Sequence, residues 1–327
     1  MAGGRVLVTG AGGFIASHLI ERLVRDGVSV RALCRYTSRR ELGNLTDVPD
    51  ATLDEVEVLF GDLLDGDLVG KAVAGCDTVF HLAASISVPY SFVAPREVVR
   101  TNVEGTLNVL TAAVDASTLR LVQLSSSEVY GTAQRTPIDE EHPLHVQSPY
   151  AASKVGADKL AESFFLAFAL PVVIARPFNT YGPRQSLRAV IPTIVAQALE
   201  RDTVQLGATT PTRDFVYVLD MVDALVRLGS ETAGAGETFN IATGEDVSVE
   251  EVVRLVGELL GRELRIESRP ERLRPHESEV FRLCGDATKL QQIISWEPTT
   301  TLRDGLATVI DWMSARRPHT PADTYAV

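Results

Sequence analysis

The chain has 327 residues, 45% of them hydrophobic, and a formal net charge of −12. That length supports one large or two modest globular domains with a substantial core, and the charge argues against a nucleic-acid surface without excluding a local basic pocket for phosphates. No apolar run approaches the ~18–20 residues that span a bilayer, no signal peptide is read at MAGGRVLVTG, and Cys34, Cys76 and Cys284, which lack C-x-x-C spacing, fit a reducing cytoplasm better than disulfides or structural zinc.

Short β-branched runs alternate with amphipathic stretches along the chain. The pattern predicts strands near 5–9, 29–34, 56–60, 78–82, 120–125 and 172–176, with helices between them, the longest near 95–116 and 150–168. Continuous apolar strands separated by helices predict an α/β fold, a Rossmann doubly wound parallel sheet covered on both faces. After about residue 180 Pro, Gly and Arg become frequent, and helices are expected near 189–200, 248–260 and 302–314. This texture predicts a smaller, mostly helical C-terminal substrate domain, with 214–243 returning to the sheet. The expected division is 1–180 with 214–245 for the nucleotide, 181–213 with 246–316 for the substrate, and a mobile tail at 317–327.

At the N-terminal end VLVTGAGGFIASHL reads as strand, glycine loop and helix. Gly10 and Gly13 permit a tight turn and let the backbone approach a pyrophosphate, and Ala16 stands where a third small residue packs helix on strand. The helix N-terminus offers N–H groups and partial positive charge to the phosphates. In that context the pattern reads as a dinucleotide site for NAD(P) rather than a plain glycine turn. The next strand ends ALCRYTSRR, without the acid that would bond the ribose 2′-hydroxyl of NAD. Cys34 takes its place, and Arg35, Arg39 and Arg40 follow. Arginine matches a 2′-phosphate, so NADP is expected over NAD, the alternative being a solvated basic loop. Asp62 in FGDLLD ends the third strand, to hold the adenine amino group or to cap the next helix.

Further on, SSSEVYG is followed by SPYAASK. Tyr150 and Lys154 stand at i and i+4, on one face of a helix for which Ser148 is an N-cap. A free tyrosine titrates near ~10, and a nearby ammonium and a nicotinamide's positive charge are expected to lower it. Ser126, ending the neighbouring strand, can share the substrate hydroxyl's proton. These groups form a base, its electrostatic partner and a hydroxyl guide around one alcohol that faces a hydride acceptor. His142 and His145 flank a proline in a loop and read as surface residues, so no metal is expected.

With TGAGGFIASHL, FHLAA, TNVEGTLNVL, SSSEVYG, SPYAASK, ARPFNTYGPRQ, TRDFVYVLD and RPHESEVFRLCGD in order, the chain resembles the extended short-chain dehydrogenase/reductases of the nucleotide-sugar epimerase/dehydratase family. The resemblance implies a nucleotide-diphosphate sugar as substrate, tightly bound NAD(P)+ and a homodimer built on the two long helices. Around the cofactor it implies Gly10, Gly13, Phe14, Ile15, Arg35, Asp62 and Leu63 from the first three strands. Leu82, Ala83, Ala84, Asn102 and Pro177 are implied there too, with Tyr150 and Lys154. Around the sugar nucleotide it implies Ser87, Glu128, Asn179, Arg184, Arg213 and Arg282.

Ser127 and Glu128 refine that reading. Resembling 4-epimerases carry small or hydroxyl-bearing residues before VYG, whereas resembling 4,6-dehydratases carry a glutamate there. Oxidation at carbon 4 acidifies the proton on carbon 5, and one carboxylate can remove it and then protonate the hydroxyl leaving carbon 6. The serine–glutamate pair resembles the GDP-mannose type and the 4,6-dehydratases of UDP- or GDP-linked N-acetylglucosamine. A related 5,6-dehydratase shares EVYG. A UDP-glucuronate decarboxylase also carries the pair but is expected to have a basic residue just before the tyrosine, where this chain has Gln147, Ser148 and Pro149. A 4-epimerase and a non-catalytic NAD(P)-sensing regulator are the remaining alternatives.

Overall fold

The computed structural model describes residues 4–273 and 275–316, so the tail expected at 317–327 lies outside the described residues. Six strands alternate with helices: β1 (Arg5–Thr9), β2 (Ser29–Arg35), β3 (Val56–Gly61), β4 (Thr78–His81), β5 (Arg120–Leu124) and β6 (Val172–Pro177). Short strands follow: β7 (Asn179–Tyr181), β8 (Thr203–Leu206), β9 (Thr212–Tyr217), β10 (Thr238–Ile241), β11 (Asp246–Ser248), β12 (Arg265–Ser268) and β13 (Arg282–Leu283). The main sheet has seven parallel strands in the order β3-β2-β1-β4-β5-β6-β10.

Alternation along each strand explains why both faces are covered. Val6 and Val8 of β1 enter one apolar cluster with Phe80 and Val122, while Leu7 enters another with Val79 and Leu121. Strands buried on both sides need helices above and below, and those helices supply the parallel crossovers. The order reverses between β1 and β4, where the chain has gone outward to β3 and returned. Crevices at such reversals, beyond the carboxyl ends of the strands, are where ligands bind in this architecture.

A third cluster, with Tyr181, Ile194, Val253 and Leu306, forms the core of the later part of the chain. Its helices Val190–Glu200, Val249–Leu260 and Leu302–Ala315 match the expected segments, and short strands join them: β11-β9-β13, with β7 beside β9, and β12-β8. The segment expected to return to the main sheet divides. The helix Val218–Ser230 and strand β10 do pack there, but β9 pairs in the small sheet. Buried Asp214 of β9 accepts from Thr243 N–H at 2.9 Å, Gly244 N–H at 2.9 Å and Gly285 N–H at 3.2 Å, fastening the segments together.

The long helix expected over 95–116 is not continuous. A helix Pro95–Val99 and a helix Gly105–Asp115 are joined by a π turn over Arg100–Glu104. Asn102 lies in that turn and is buried. The wider turn matches its commitments: Asn102 Oδ1 accepts from Ser85 N–H at 2.7 Å, and its Nδ2 donates to Ser85 O at 3.1 Å and Ser153 Oγ at 2.9 Å.

Gly10 has φ +68°, and a Cβ there would stand 2.7 Å from the Ala83 Cα. Gly75 has φ +72° with open space around its Cβ position. Alanine at either site bears a left-handed penalty of about 1–2 kcal/mol, and Gly10→Ala adds a collision with backbone. Thermal denaturation should therefore place Gly10→Ala below Gly75→Ala. Equal melting temperatures would mean that the β4 loop gives way and that the close approach is not a constraint.

Candidate active site

Beyond β1 the chain turns through Gly10 to Gly13 into the helix Phe14–Arg25, whose first turn holds Phe14 and Ile15 and has no side-chain cap. Its leading N–H groups are therefore left to an outside acceptor, as a phosphate would be. The close approach of Gly10 to Ala83 opens the same cradle, so these residues fit a dinucleotide. Arg35, at the end of β2, is exposed, as are Arg39 and Arg40. Asp62 follows β3; one of its oxygens accepts from Leu64 N–H at 3.0 Å, while Asp65 caps the following helix. Leu63 is buried, and its carbonyl accepts from Asn108 at 2.8 Å.

Leu82, Ala83 and Ala84 follow β4, half-buried beside the Gly10 loop. A buried hydrogen-bonded chain fixes them. Ala83 N–H donates to Thr9 Oγ1 at 3.2 Å, Thr9 Oγ1 meets His81 Nδ1 at 2.7 Å, and His81 Nε2 meets Thr106 Oγ1 at 3.1 Å. Thr106 donates to Asn102 O at 2.6 Å, which assigns the His81 proton to Nε2. Burial, and then the charge of Lys154, push His81 down to about 3, so it stays neutral. Asn102 was expected at the cofactor. Its amide bonds Ser85 and Ser153, so it holds the loop after β4. Ser87 caps the helix Val88–Val93 by accepting from Tyr90 N–H at 3.2 Å.

The ends of β5 and β6 carry the chemistry. Ser126 is extended and caps the turn Ser127–Tyr130, its Oγ accepting from Glu128 N–H at 3.2 Å. Ser127 is buried and Glu128 half-buried in that turn. Opposite stands the helix Pro149–Phe168, capped by Ser148, with Tyr150 and Lys154 both buried on its inner face. Lys154 Nζ donates to Leu124 O at 2.5 Å, and the Tyr150 phenol is hydrogen-bonded with Ser126. Pro177 closes β6, level with Ile241 of β10.

The charges differ from expectation. Burial, outweighing the Ser126 hydrogen bond and aided by the charge of Glu128, pushes Tyr150 up to about 12. The lysine does not by itself bring the phenol toward neutrality. Burial lowers Lys154 to about 8, against the raising charge of Asp158. The protein alone therefore holds a protonated phenol beside a lysine poised near neutral pH.

Beside this site lies a cavity of about 290 Å³, lined among others by Asn179, Arg188, Arg213, Phe215, Arg272 and Glu279. Asn179 Oδ1 is buried there without a hydrogen-bond partner among the described residues. Arg213, also buried, pairs with Glu279 at 3.3 Å. Ser87, Glu128, Arg184 and Arg282, also expected at the sugar nucleotide, are not among the residues lining this cavity. Arg184 does not line this cavity; at φ +69° its guanidinium turns to Glu21 at 2.9 Å and to the carbonyl of Asp47 at 3.1 Å, locking the loop onto the first helix. Arg282 is forked onto Asp246 at 2.9 and 3.0 Å, and that pairing together with Thr212 outweighs burial and lowers Asp246. Arg188, Arg272 and Glu279 were missed, although Glu279 stands within RPHESEVFRLCGD. Gln147 bridges the turn and this segment, accepting from Thr132 N–H at 2.7 Å and donating to Glu277 O and Glu279 O at 3.0 Å. His142 is not a surface residue: it is buried edge-on to Tyr130 and accepts from Gln134 N–H at 3.0 Å.

The seven-stranded parallel sheet, the glycine turn and the tyrosine–lysine helix define an extended short-chain dehydrogenase/reductase of the nucleotide-sugar dehydratase/epimerase kind. A family model described as GDP-mannose 4,6 dehydratase matches residues 7–309, and the chain belongs to that family of NAD-dependent enzymes. It is similar to a UDP-glucose 4-epimerase of Mycolicibacterium smegmatis, 36% identical over 94% of this chain and 98% of the relative. Among solved structures it is similar to DesIV, a dTDP-glucose 4,6-dehydratase from Streptomyces venezuelae with NAD and TYD bound, at 30% identity and a TM-score of 0.85, covering 96% of this chain and 98% of that one. MoeE5 in complex with UDP-glucose and NAD matches at 34% identity and a TM-score of 0.84, over 95% and 99%.

The Asn102 bonds make a direct prediction. Asn102→Leu should leave the fold intact, speed hydrogen exchange at the Ser85 amide several-fold, and weaken cofactor binding through the loosened loop. Unchanged exchange at Ser85 would show that the loop is held by other contacts.

Proposed function

We propose that the protein is a nucleotide-sugar 4,6-dehydratase working on tightly bound NAD(P)+. One observation carries this reading: Glu128 stands in the turn after β5, near enough to Tyr150 for its charge to raise the phenol. An epimerase has no proton on carbon for such a carboxylate to move. Tyr150 takes the proton of the carbon 4 hydroxyl, Ser126 guides it, and Lys154 holds the adjacent positive charge. Bound NAD(P)+ supplies a hydride acceptor for carbon 4, a hydride donor for carbon 6 and a positive charge that favours the Tyr150 phenolate. Glu128 removes the carbon 5 proton and delivers a proton to the hydroxyl leaving carbon 6 as water, with Ser127 as its hydroxyl neighbour, and a proton from solvent returns to carbon 5 as carbon 6 is reduced. The product is a 4-keto-6-deoxy-hexose nucleotide. Asn179 and Arg213 are read as its anchors in the cavity.

The second reading is a 4-epimerase, favoured by the Mycolicibacterium smegmatis relative. For the cofactor, the absence of an acid after β2 and the exposed Arg35, Arg39 and Arg40 favour NADP, whereas NAD in the solved neighbours favours NAD. We read the chain as a nucleotide domain (1–180 with 214–245) and a sugar-nucleotide domain (181–213 with 246–316). A homodimer through the two long helices is supported by exposed Val99, Leu107, Leu166 and Phe168. Three buried free cysteines support a reducing cytoplasm, and among the described residues no helix is long and apolar enough to cross a membrane.

Glu128→Gln separates the two reactions. The amide keeps the size and an acceptor but cannot take the carbon 5 proton. A single turnover quenched in acid should release the 4-keto-hexose nucleotide, lighter than substrate by two hydrogens and still carrying its carbon 6 hydroxyl. Wild-type turnover in the variant would return Glu128 to a strand-end cap. Tyr150→Phe should lower kcat by about 10²–10⁴-fold while sparing cofactor binding; activity within a few-fold of wild type would remove the phenol from the mechanism. Arg35→Asp should shift cofactor preference from NADP toward NAD, and an unchanged ratio of affinities would make the arginine a bystander.

A further inference from the structure

Behind Lys154 lies a buried ion pair that the mechanism leaves unused. Asp158 follows Lys154 by one helical turn and is 1% exposed. Its Oδ2 accepts from Ser125 Oγ at 2.8 Å, Arg176 Nε at 3.2 Å and Arg176 Nη2 at 3.1 Å. Burial raises Asp158, and the charge of Arg176, the Ser125 hydrogen bond and the charge of Lys154 oppose that rise and favour the carboxylate. Its Oδ1 takes no hydrogen bond among the described residues. Arg176 reaches on to the Tyr130 hydroxyl at 2.9 Å and lies over that ring at 5.0 Å, so the pair also braces the turn that carries Glu128.

A buried ion pair is weak as a source of stability, because desolvating two charges offsets their attraction. The position of this one is more informative. The charged and titratable groups near Lys154 are Tyr150 and Asp158 on its own helix, His81 from β4, Glu128 and Tyr130 from the turn after β5, and Arg176 from β6. Arg96, Glu97, Arg100 and Glu104, on the segments packed against that helix, are exposed, and Tyr90 donates to Glu97. His81 is neutral. Asp158 is the charge that acts to keep the lysine protonated.

We propose that Asp158 is a positioning residue for the oxidising pair: held by Arg176 and Ser125 one turn beyond Lys154, its carboxylate keeps the buried lysine in the ammonium form. The proposal rests on the reading of Tyr150 and Lys154 as that pair. It gives the Arg176–Asp158 pair a task at the site itself. The pair fixes a negative charge behind the lysine, where it opposes desolvation without blocking the face turned to cofactor and substrate. It also ties the lysine's state to the strand end that bears Ser126 and Glu128, since Ser125 bonds the same carboxylate oxygen.

The chain has only four lysines, Lys71, Lys154, Lys159 and Lys289, and Lys154 alone is buried. Lysine labelled with carbon-13 at Cε therefore gives a four-signal spectrum of the full chain, in which Lys154 is assigned by its loss in Lys154→Arg. In the wild type its midpoint should lie near 8, as burial dictates. In Asp158→Asn it should fall by about one pH unit or more, the effect of losing a close opposite charge. Should that variant fold poorly, Asp158→Leu in an Arg176→Met background removes the carboxylate at similar volume, and the midpoint should lie lower in the double variant than in Arg176→Met alone. A Lys154 midpoint that does not fall on loss of the carboxylate in the folded protein, in either background, would overturn the proposal. In turnover, a lower lysine pKa means that the ammonium is lost at lower pH, so the alkaline fall in kcat should move to lower pH with KM unchanged. A uniform loss at every pH, with no movement of that limb, would mark the pair as merely structural. If the wild type turns over no nucleotide sugar, the dehydratase reading fails, yet the spectrum still decides the role of Asp158.

Discussion

A lysine that is 4% exposed keeps its charge only if the protein compensates it. The donation from Lys154 to the Leu124 carbonyl does this locally and docks the helix Pro149–Phe168 on the end of β5. That contact, with the packing of the helix against β6 and the turn Ser127–Tyr130, holds Tyr150 near Ser126 and Glu128. Tyr150 and Glu128 come from elements about twenty residues apart in sequence, yet they meet because strand and helix share a buried bond. The same docking sets Ser153 against Asn102, which fixes the loop after β4 where the cofactor cradle begins.

The second half of the chain is tied to the first by a shared apolar cluster, in which Met221, Leu225, Phe239 and Trp296 join Val8, Leu19 and Phe80, and by polar contacts. Arg184 reaches Glu21, His18 meets the Pro183 carbonyl at 2.9 Å, and Asp214 gathers three backbone N–H groups from within the second half itself. Within the cavity the pairing of Arg213 with Glu279 matters for charge. A bare buried guanidinium would be costly, and the glutamate offsets it.

Much of this was legible in the sequence for a local reason. The six strands are short continuous apolar runs, and each appears within a residue or two of its expected bounds. The glycine turn and the i, i+4 pair of Tyr150 and Lys154 depend on neighbours in the chain, so pattern alone finds them. What escaped depends on distant partners. Nothing near Arg184 says that its side chain will turn back to Glu21. Nothing near His142 says that a tyrosine will cover it. The strands β7, β11 and β13 are two or three residues long and exist only through pairing. The π turn at Asn102 reflects hydrogen bonds to Ser85 and Ser153, residues 17 and 51 positions away. Burial, which composition does not reveal, raises Tyr150 in the protein alone, and nothing in the spacing of Tyr150 and Lys154 signals it.

The central claim is that Glu128 moves a proton on carbon within a closed redox cycle. It is tested most directly by incubating the purified wild-type protein, with no added cofactor, in heavy water with GDP-mannose, dTDP-glucose and UDP-glucose in turn. The account predicts that one of them gives a product lighter by one water, with deuterium at carbon 5. A product of unchanged mass and inverted carbon 4, without solvent label, would contradict it and make the protein an epimerase.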